Sequence, residues 1–414
     1  MNRNLENTGF MQPQTQPSPS PAPQPGSPID HAPAYVKAIA PYRPGKPIAE
    51  VAREYGLDAA RIVKLASNEN PLGMPDSARA AIQLALEELG RYPDGNGFDL
   101  KAAIAARYDV PVDWITLCNG SNDGLELAAR ALCGPGESIV YSQYAFIVYA
   151  LSTRAIGARA IEVPAVGHGH DLAGMASAIA EDTRVVFVAN PNNPTGTFVD
   201  GTQLEAFLAR VPSDVAVVLD EAYTEYLAPE MRYDSMGWVR SHPNLIVSRT
   251  LSKAYGLAGL RVGFMVAQAP LTDLINRVRQ PFNVNTLAQA AAVAALADSG
   301  FLARSHALNR DGITQLQQGF QQLGLEFIPS SGNFVLVRVG QADAVNQRLL
   351  QAGIIVRPVG NYGLPQWLRV SVGLPEENAA FLAALADALA DTGPQPGTVA
   401  GSAASSRGSA LSSE

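Results

Sequence analysis

Residues 184–223 read RVVFVANPNNPTGTFVDGTQLEAFLARVPSDVAVVLDEAY. Arg184–Ala189 and Val215–Leu219 are short runs, apolar nearly throughout, as expected of strands covered on both faces. Between them, Gln203–Arg210 carries apolar residues at helical spacing. Strand, helix and strand in that order make a βαβ unit, which sets the strands parallel with the helix across the sheet. The same texture continues on both sides. Trp114–Cys118, Ser138–Tyr141 and Arg159–Val163 precede it, Leu245–Ser248 and Val262–Val266 follow it, and Gly124–Leu132 adds another helical pattern. These runs predict an α/β large domain with a mostly parallel seven-stranded sheet covered by helices.

Beyond Pro281 the pattern changes. Ala-rich helical sequence at Thr286–Ala297 leads into a Gln-rich amphipathic stretch through Leu323. Two strand-like runs, Phe334–Val339 and Leu368–Val372, and a last helix near Glu376–Leu389 then predict a smaller α+β domain. Ile48–Leu65 is expected to join or precede it. The expected division is an N-terminal arm with part of the small domain at 30–64, a large domain at 65–285, and a small domain at 286–392. Between Met11 and Pro28 seven of eighteen residues are Pro, and 393–414 is rich in Gly, Ala and Ser. Neither stretch has the apolar content to join a core, so 1–29 and 393–414 are expected to be disordered tails.

The chain has 414 residues, with 30 Lys and Arg against 38 Asp and Glu, a net charge of −8. That balance argues against general nucleic-acid binding, which needs a basic face. Cys118 and Cys133 are too few for a disulfide framework and fit a reducing compartment. No apolar run reaches the ~18 residues of a membrane span, and the N-terminus lacks the apolar segment of a secretion signal. A cytoplasmic enzyme without nucleic-acid or membrane partners is expected, and no metal ligand set is assigned.

In parallel sheets ligands sit beyond the carboxyl ends of the strands, so the loops there carry the chemistry. Arg184–Ala189 is followed by NPNNPTG at Asn190–Gly196, whose two X-Pro pairs stiffen the loop and aim its Asn side chains. Val215–Leu219 runs into Asp220, with Tyr223 three residues on. A carboxylate placed there is costly unless it faces a cation or a donor. Leu245–Ser248 leads to Lys253, set among small and hydroxyl residues with no acidic neighbour, and Arg261 follows eight residues later. Burial can lower the pKa of such a lysine and make it nucleophilic. Each residue alone is ordinary. Together, on three successive post-strand loops, they make a site.

LDEAY, followed by SRTLSKAYGLAGLRVGF and preceded by ANPNNPTG, resembles the fold-type-I pyridoxal-phosphate aminotransferases. The separations, 27 residues from Asn193 to Asp220 and 33 from Asp220 to Lys253, also fit. YRPGKP from Tyr42, LASNENPLG from Leu65, RYPDGNG from Arg91, NGSND from Asn119 and WLRVSVG from Trp367 narrow the resemblance to the histidinol-phosphate aminotransferases. It runs from about residue 38 to 390.

The resemblance implies a role for each residue. Lys253 would hold pyridoxal 5'-phosphate as a Schiff base and shuttle the proton, and Asp220 would pair with the pyridine nitrogen. Asn193 and Tyr223 would bond the ring's 3-oxygen, and Tyr144 would stack on the ring. Gly120, Ser121 and Asn122, at a helix N-terminus that favours anions, would bind the phosphate with Thr250, Ser252 and Arg261. The family often has an acidic residue where Asn122 stands; backbone N–H groups do the binding, so little change is expected. Tyr92 would reach the neighbouring subunit's cofactor phosphate, implying a homodimer with shared sites. Arg369 would take the substrate carboxylate or phosphate, with Arg357, Tyr42 and Asn333 also on the substrate side. The implied reaction is the exchange of L-histidinol phosphate and 2-oxoglutarate for imidazole-acetol phosphate and L-glutamate, by a ping-pong mechanism in histidine biosynthesis. Alternatives are an aromatic-amino-acid aminotransferase and a threonine-phosphate decarboxylase-type lyase. A pyridoxal-dependent transcription regulator would need a winged-helix domain, for which 1–29 is too short.

Overall fold

The computed structural model describes residues 26–41 and 45–392, so Tyr42 and most of both expected tails lie outside the described residues. All seven expected strands of the large sheet form: β1 Ile115–Cys118, β2 Ser138–Ser142, β3 Arg159–Val163, β4 Thr183–Ala189, β5 Ala216–Asp220, β6 Leu245–Thr250 and β7 Gly263–Val266. Their order across the sheet is β1-β7-β6-β5-β4-β2-β3. Neighbouring strands from β6 to β3 are parallel, whereas β7 runs antiparallel to both β1 and β6. One face packs Leu100, Ile104, Val186, Val188 and Val217. The other packs Leu125, Ala129, Tyr149, Phe187 and Val218. Burial on both faces holds for the interior strands but not for β3, which has a neighbour on one side only and exposes Arg159, Ala160 and Glu162.

Register positions the chemistry. Ala189 pairs with Asp220 and Asp220 with Ser248, so the carboxyl ends of β4, β5 and β6 lie side by side. The three loops singled out in the sequence therefore leave the sheet at one place.

A second, antiparallel sheet orders as β10-β11-β9-β8, with β8 Phe327–Ile328, β9 Phe334–Arg338, β10 Arg357–Pro358 and β11 Trp367–Ser371. It shares a core with helices Ser299–Gln322, Ala342–Gln351 and Pro375–Thr392 through Phe320, Val335, Leu349, Leu368 and Phe381. Val63–Lys64 pairs in parallel with Ile354–Ile355, which ties the N-terminal segment to this unit. Among the described residues no single helix is long and apolar enough to cross a membrane.

Two expectations shift. Helix Thr286–Ala297, assigned by sequence to the smaller domain, packs instead over the large sheet. It buries Ala288, Ala291, Ala292 and Ala295 in that core, against helices Asp76–Ala85 and Phe98–Tyr108. Its alanines leave no bulk to hold the backbones apart, so close packing on other helices is open to it. At the other end, Pro28–His31 forms a helical turn, with the Ser27 hydroxyl accepting from the Ile29 N–H. The expected tail boundary at residue 29 falls inside that turn.

Candidate active site

A cavity of about 190 Å³ lies where the ends of β4, β5 and β6 face the smaller sheet. Asp220, the last residue of β5, lies on its wall and is 4% exposed. The Tyr149 hydroxyl donates to its Oδ2 at 2.9 Å, while Oδ1 is buried without a hydrogen-bond partner. Burial raises its pKa to about 6, and the Tyr149 hydrogen bond pulls the other way. A carboxylate so placed calls for a cationic N–H.

Lys253 reaches the same cavity from the loop after β6. Its Nζ donates to the Ser67 carbonyl at 3.1 Å and lies 5.9 Å from the centre of the Tyr223 ring. Burial, and next the charge of Arg369, lower its pKa to about 8. Tyr223 accepts a hydrogen bond from Asn68 Nδ2 at 3.0 Å, which leaves the phenol's own proton to donate. Burial pushes that phenol up to about 12, so it stays a donor. Asn193 accepts from Arg369 Nη1 at 2.6 Å through Oδ1. Because guanidinium only donates, this bond fixes the amide and leaves Nδ2 as its donor. The Asn193 loop is braced from within: Asn190 Nδ2 donates to the Val199 carbonyl, and Asn192 Nδ2 to Thr195 Oγ1.

The far end of the cavity is built for an anion. Helix Ser121–Leu132 begins there after Gly120, whose φ is +82°. Ser121, Asn122, Thr250, Ser252 and Arg261 all line the cavity. Arg261 Nη1 donates to Ser252 Oγ at 3.4 Å, and a Cβ on Gly120 would sit 2.4 Å from Arg261 Nη2. Asp123 Oδ2 holds the turn by accepting from the Asn119 N–H at 2.8 Å and from Asn283 Nδ2 at 3.1 Å. A lysine amine, an orphaned buried carboxylate oxygen, two aimed donors and an N-terminal anion cradle together fit pyridoxal phosphate.

The two arginines expected on the substrate side are neighbours in the second sheet. Arg357 on β10 pairs directly with Arg369 on β11, and both line the cavity. Arg369 Nη2 also donates to the Ala66 carbonyl at 2.7 Å, and its guanidinium lies over the Phe334 ring.

Two residues expected at the cavity, Tyr144 and Asn333, do not line it. Tyr144 is not on the cavity wall; Phe146, two residues on, is. The backbone turns at Tyr144 with φ +57°, and its ring packs beside His168 and among Leu364 and Trp367. Asn333 is buried behind the wall, where its Nδ2 donates to the Asn68 carbonyl at 3.0 Å. It braces the Asn68 turn and does not face the cavity. Tyr92, expected to reach a neighbouring subunit's cofactor, does not line this cavity; it is 82% exposed and stacks on Phe282.

Sequence reasoning missed Phe146, Tyr149, Tyr362 and the Ala66–Asn68 segment. Asn68 lies inside the LASNENPLG motif, and its φ of +53° gives a turn that the motif alone does not reveal.

Residues 60–385 match the family model for aminotransferase class I and II. The chain is 66% identical over 367 residues to histidinol-phosphate aminotransferase 1 of Cupriavidus pinatubonensis, covering 88% of this chain and 98% of that protein. It is 67% identical over 364 residues to histidinol-phosphate aminotransferase 2 of Ralstonia nicotianae, covering 87% and 97%. Among solved structures it is similar to histidinol-phosphate aminotransferase from Sinorhizobium meliloti in complex with pyridoxal-5'-phosphate. There the TM-score is 0.80 at 27% identity, covering 87% of this chain and 98% of that one.

Proposed function

The chain belongs to the class I and II aminotransferases, in their histidinol-phosphate branch, and we propose that it exchanges the amino group of L-histidinol phosphate with 2-oxoglutarate in histidine biosynthesis. The products are imidazole-acetol phosphate and L-glutamate, and the reaction is reversible. Pyridoxal phosphate, when bound, supplies an aldehyde that condenses with amines and a ring that accepts electron density. The chain supplies the rest.

Lys253 Nζ, its proton held loosely by burial, provides the amine and carries the proton away from and back to the substrate. With the cofactor bound, Asp220 Oδ1 would hold the proton on its ring nitrogen, Tyr223 and Asn193 Nδ2 would donate to its 3-oxygen, and Phe146 would cover the ring. Gly120, Ser121, Asn122, Thr250, Ser252 and Arg261 would hold its phosphate.

The single observation that carries the substrate reading is the placement of Arg357 opposite Arg369 on the cavity wall. Two guanidinium groups side by side suit a phosphate dianion better than a lone carboxylate. Tyr42 completes this side in the proposal. The working form is a cytoplasmic homodimer in which the partner's Tyr92 approaches the cofactor phosphate. The cavity lies between a large domain and a small one, with helix Thr286–Ala297 reassigned to the large.

A half-reaction screen tests the proposal: purified holoenzyme is mixed with histidinol phosphate, phenylalanine, tyrosine or threonine phosphate, and the cofactor absorbance is followed. Histidinol phosphate is expected to react with the highest specificity constant, and 2-oxoglutarate to restore the spectrum. Preference for phenylalanine, or carbon dioxide release from threonine phosphate, would overturn it.

A further inference from the structure

Tyr149 is fully buried in helix Ile147–Ala155, three residues after Phe146. Its ring lies flat against Phe187, 4.6 Å between centroids at 2°, so the hydroxyl has a fixed direction. That hydroxyl donates to Asp220 Oδ2 at 2.9 Å, and Asp220 Oδ1 is left without a partner on the cavity wall. One oxygen is anchored and the other is presented. We propose that Tyr149 is a positioning residue, which holds Asp220 ionised and turned so that Oδ1 meets the cofactor's pyridine nitrogen. The inference rests on the cofactor reading above and adds a residue that does not itself touch the cofactor.

Of the groups that favour the Asp220 carboxylate, the Tyr149 hydroxyl is the strongest, and the Ala222 backbone N–H comes next. Burial works against the carboxylate, and Glu221 next to it works the same way. Glu221 is itself engaged by Arg249 Nε at 2.6 Å and by the Ser235 hydroxyl at 2.9 Å. Lys253 favours the ionised form, but more weakly than the Tyr149 hydrogen bond does. Burial and the adjacent carboxylate raise the Tyr149 phenol far above its ordinary range, so it remains a donor throughout.

The test uses cofactor-free full-length protein reconstituted with pyridoxal phosphate, with affinity read from the cofactor absorbance between about pH 5 and pH 8. Affinity falls on acidification as Asp220 takes up its proton. In Tyr149→Phe this acid limb is expected to move up by about one pH unit, with roughly tenfold weaker binding on the acid side. Phe187→Leu loosens the ring packing but keeps the hydroxyl, and is expected to leave the limb in place. In an Asp220→Asn background, Tyr149→Phe is expected to leave the pH profile unchanged. An unmoved limb in Tyr149→Phe, an equal shift in Phe187→Leu, or a shift that persists without the Asp220 charge would each overturn the inference. A wild type that binds no pyridoxal phosphate at any pH would instead overturn the functional reading beneath it.

Discussion

At the scale of single residues, the site works by placing ionisable groups where burial moves them toward neutrality. Lys253 loses its proton near pH 8 where an ordinary lysine does so near 10.5. Only the unprotonated amine attacks an aldehyde, so cofactor capture by the cofactor-free protein should rise with pH through a midpoint near 8 and then level off. Stopped-flow absorbance would show this; a rate still climbing toward pH 10 would contradict it. Arg369 is a cation that helps to depress the lysine. Its replacement by Met should therefore move the midpoint upward. Borohydride reduction of the holoenzyme and peptide mapping should place the phosphopyridoxyl label on Lys253 alone. Lys253→Ala should keep some cofactor but lose transamination by several orders of magnitude, because nucleophile and proton carrier are the same atom.

Among the elements, what was legible in the sequence followed from covalent order, and what was not depended on packing. The βαβ texture of 184–223 shows in its periodicity, and a parallel sheet then brings Asn193, Asp220 and Lys253 to one edge without further information. Tyr144 and Phe146 are another matter. Both are aromatic and two residues apart, and a positive φ at Tyr144 decides which ring meets the cavity. Asn333 and Asn68 are linked by a hydrogen bond between residues far apart in the chain, which no local pattern carries. Tyr149 reads as a core aromatic on a helix until Asp220 is found at its hydroxyl. The β10–β11 register yields a prediction at this scale, because it sets Arg357 and Arg369 side by side. A phosphate dianion can engage both, whereas a carboxylate is served by one. Arg357→Ala should thus cost about 1.4 kcal/mol, roughly tenfold in kcat/KM, more with histidinol phosphate than with phenylalanine. Arg369→Ala should damage both substrates. Equal penalties from Arg357→Ala would remove that residue from the phosphate site. The helix start gives a second prediction. Gly120→Ala would force a Cβ against Arg261 at a φ that disfavours side chains, so cofactor affinity should fall while the apo-protein still folds.

For the whole molecule, the proposed homodimer predicts that one subunit completes the site of another. Tyr92 stacks on Phe282 at 4.8 Å, and both rings are exposed, at 82% and 45%. Phe98, Leu84, Leu86 and Leu89 nearby in sequence are also half or more exposed. A stretch this apolar in so acidic a chain fits burial against a second copy. If the partner's Tyr92 serves the cofactor phosphate, a Lys253→Ala subunit still lends an intact Tyr92 to its neighbour. A Tyr92→Phe subunit likewise still carries an intact Lys253. Mixing the two inactive or weakened homodimers should therefore give heterodimers with one complete site, and activity should recover in part as subunits exchange. Exchange is followed independently, with a mass tag on one variant and separation of the mixed species. Statistical mixing at equal concentration makes about half of the dimers mixed, each with one complete site of two, so recovery should approach about a quarter of wild type. Demonstrated exchange without recovery would show that Tyr92 does not serve a neighbouring subunit's site.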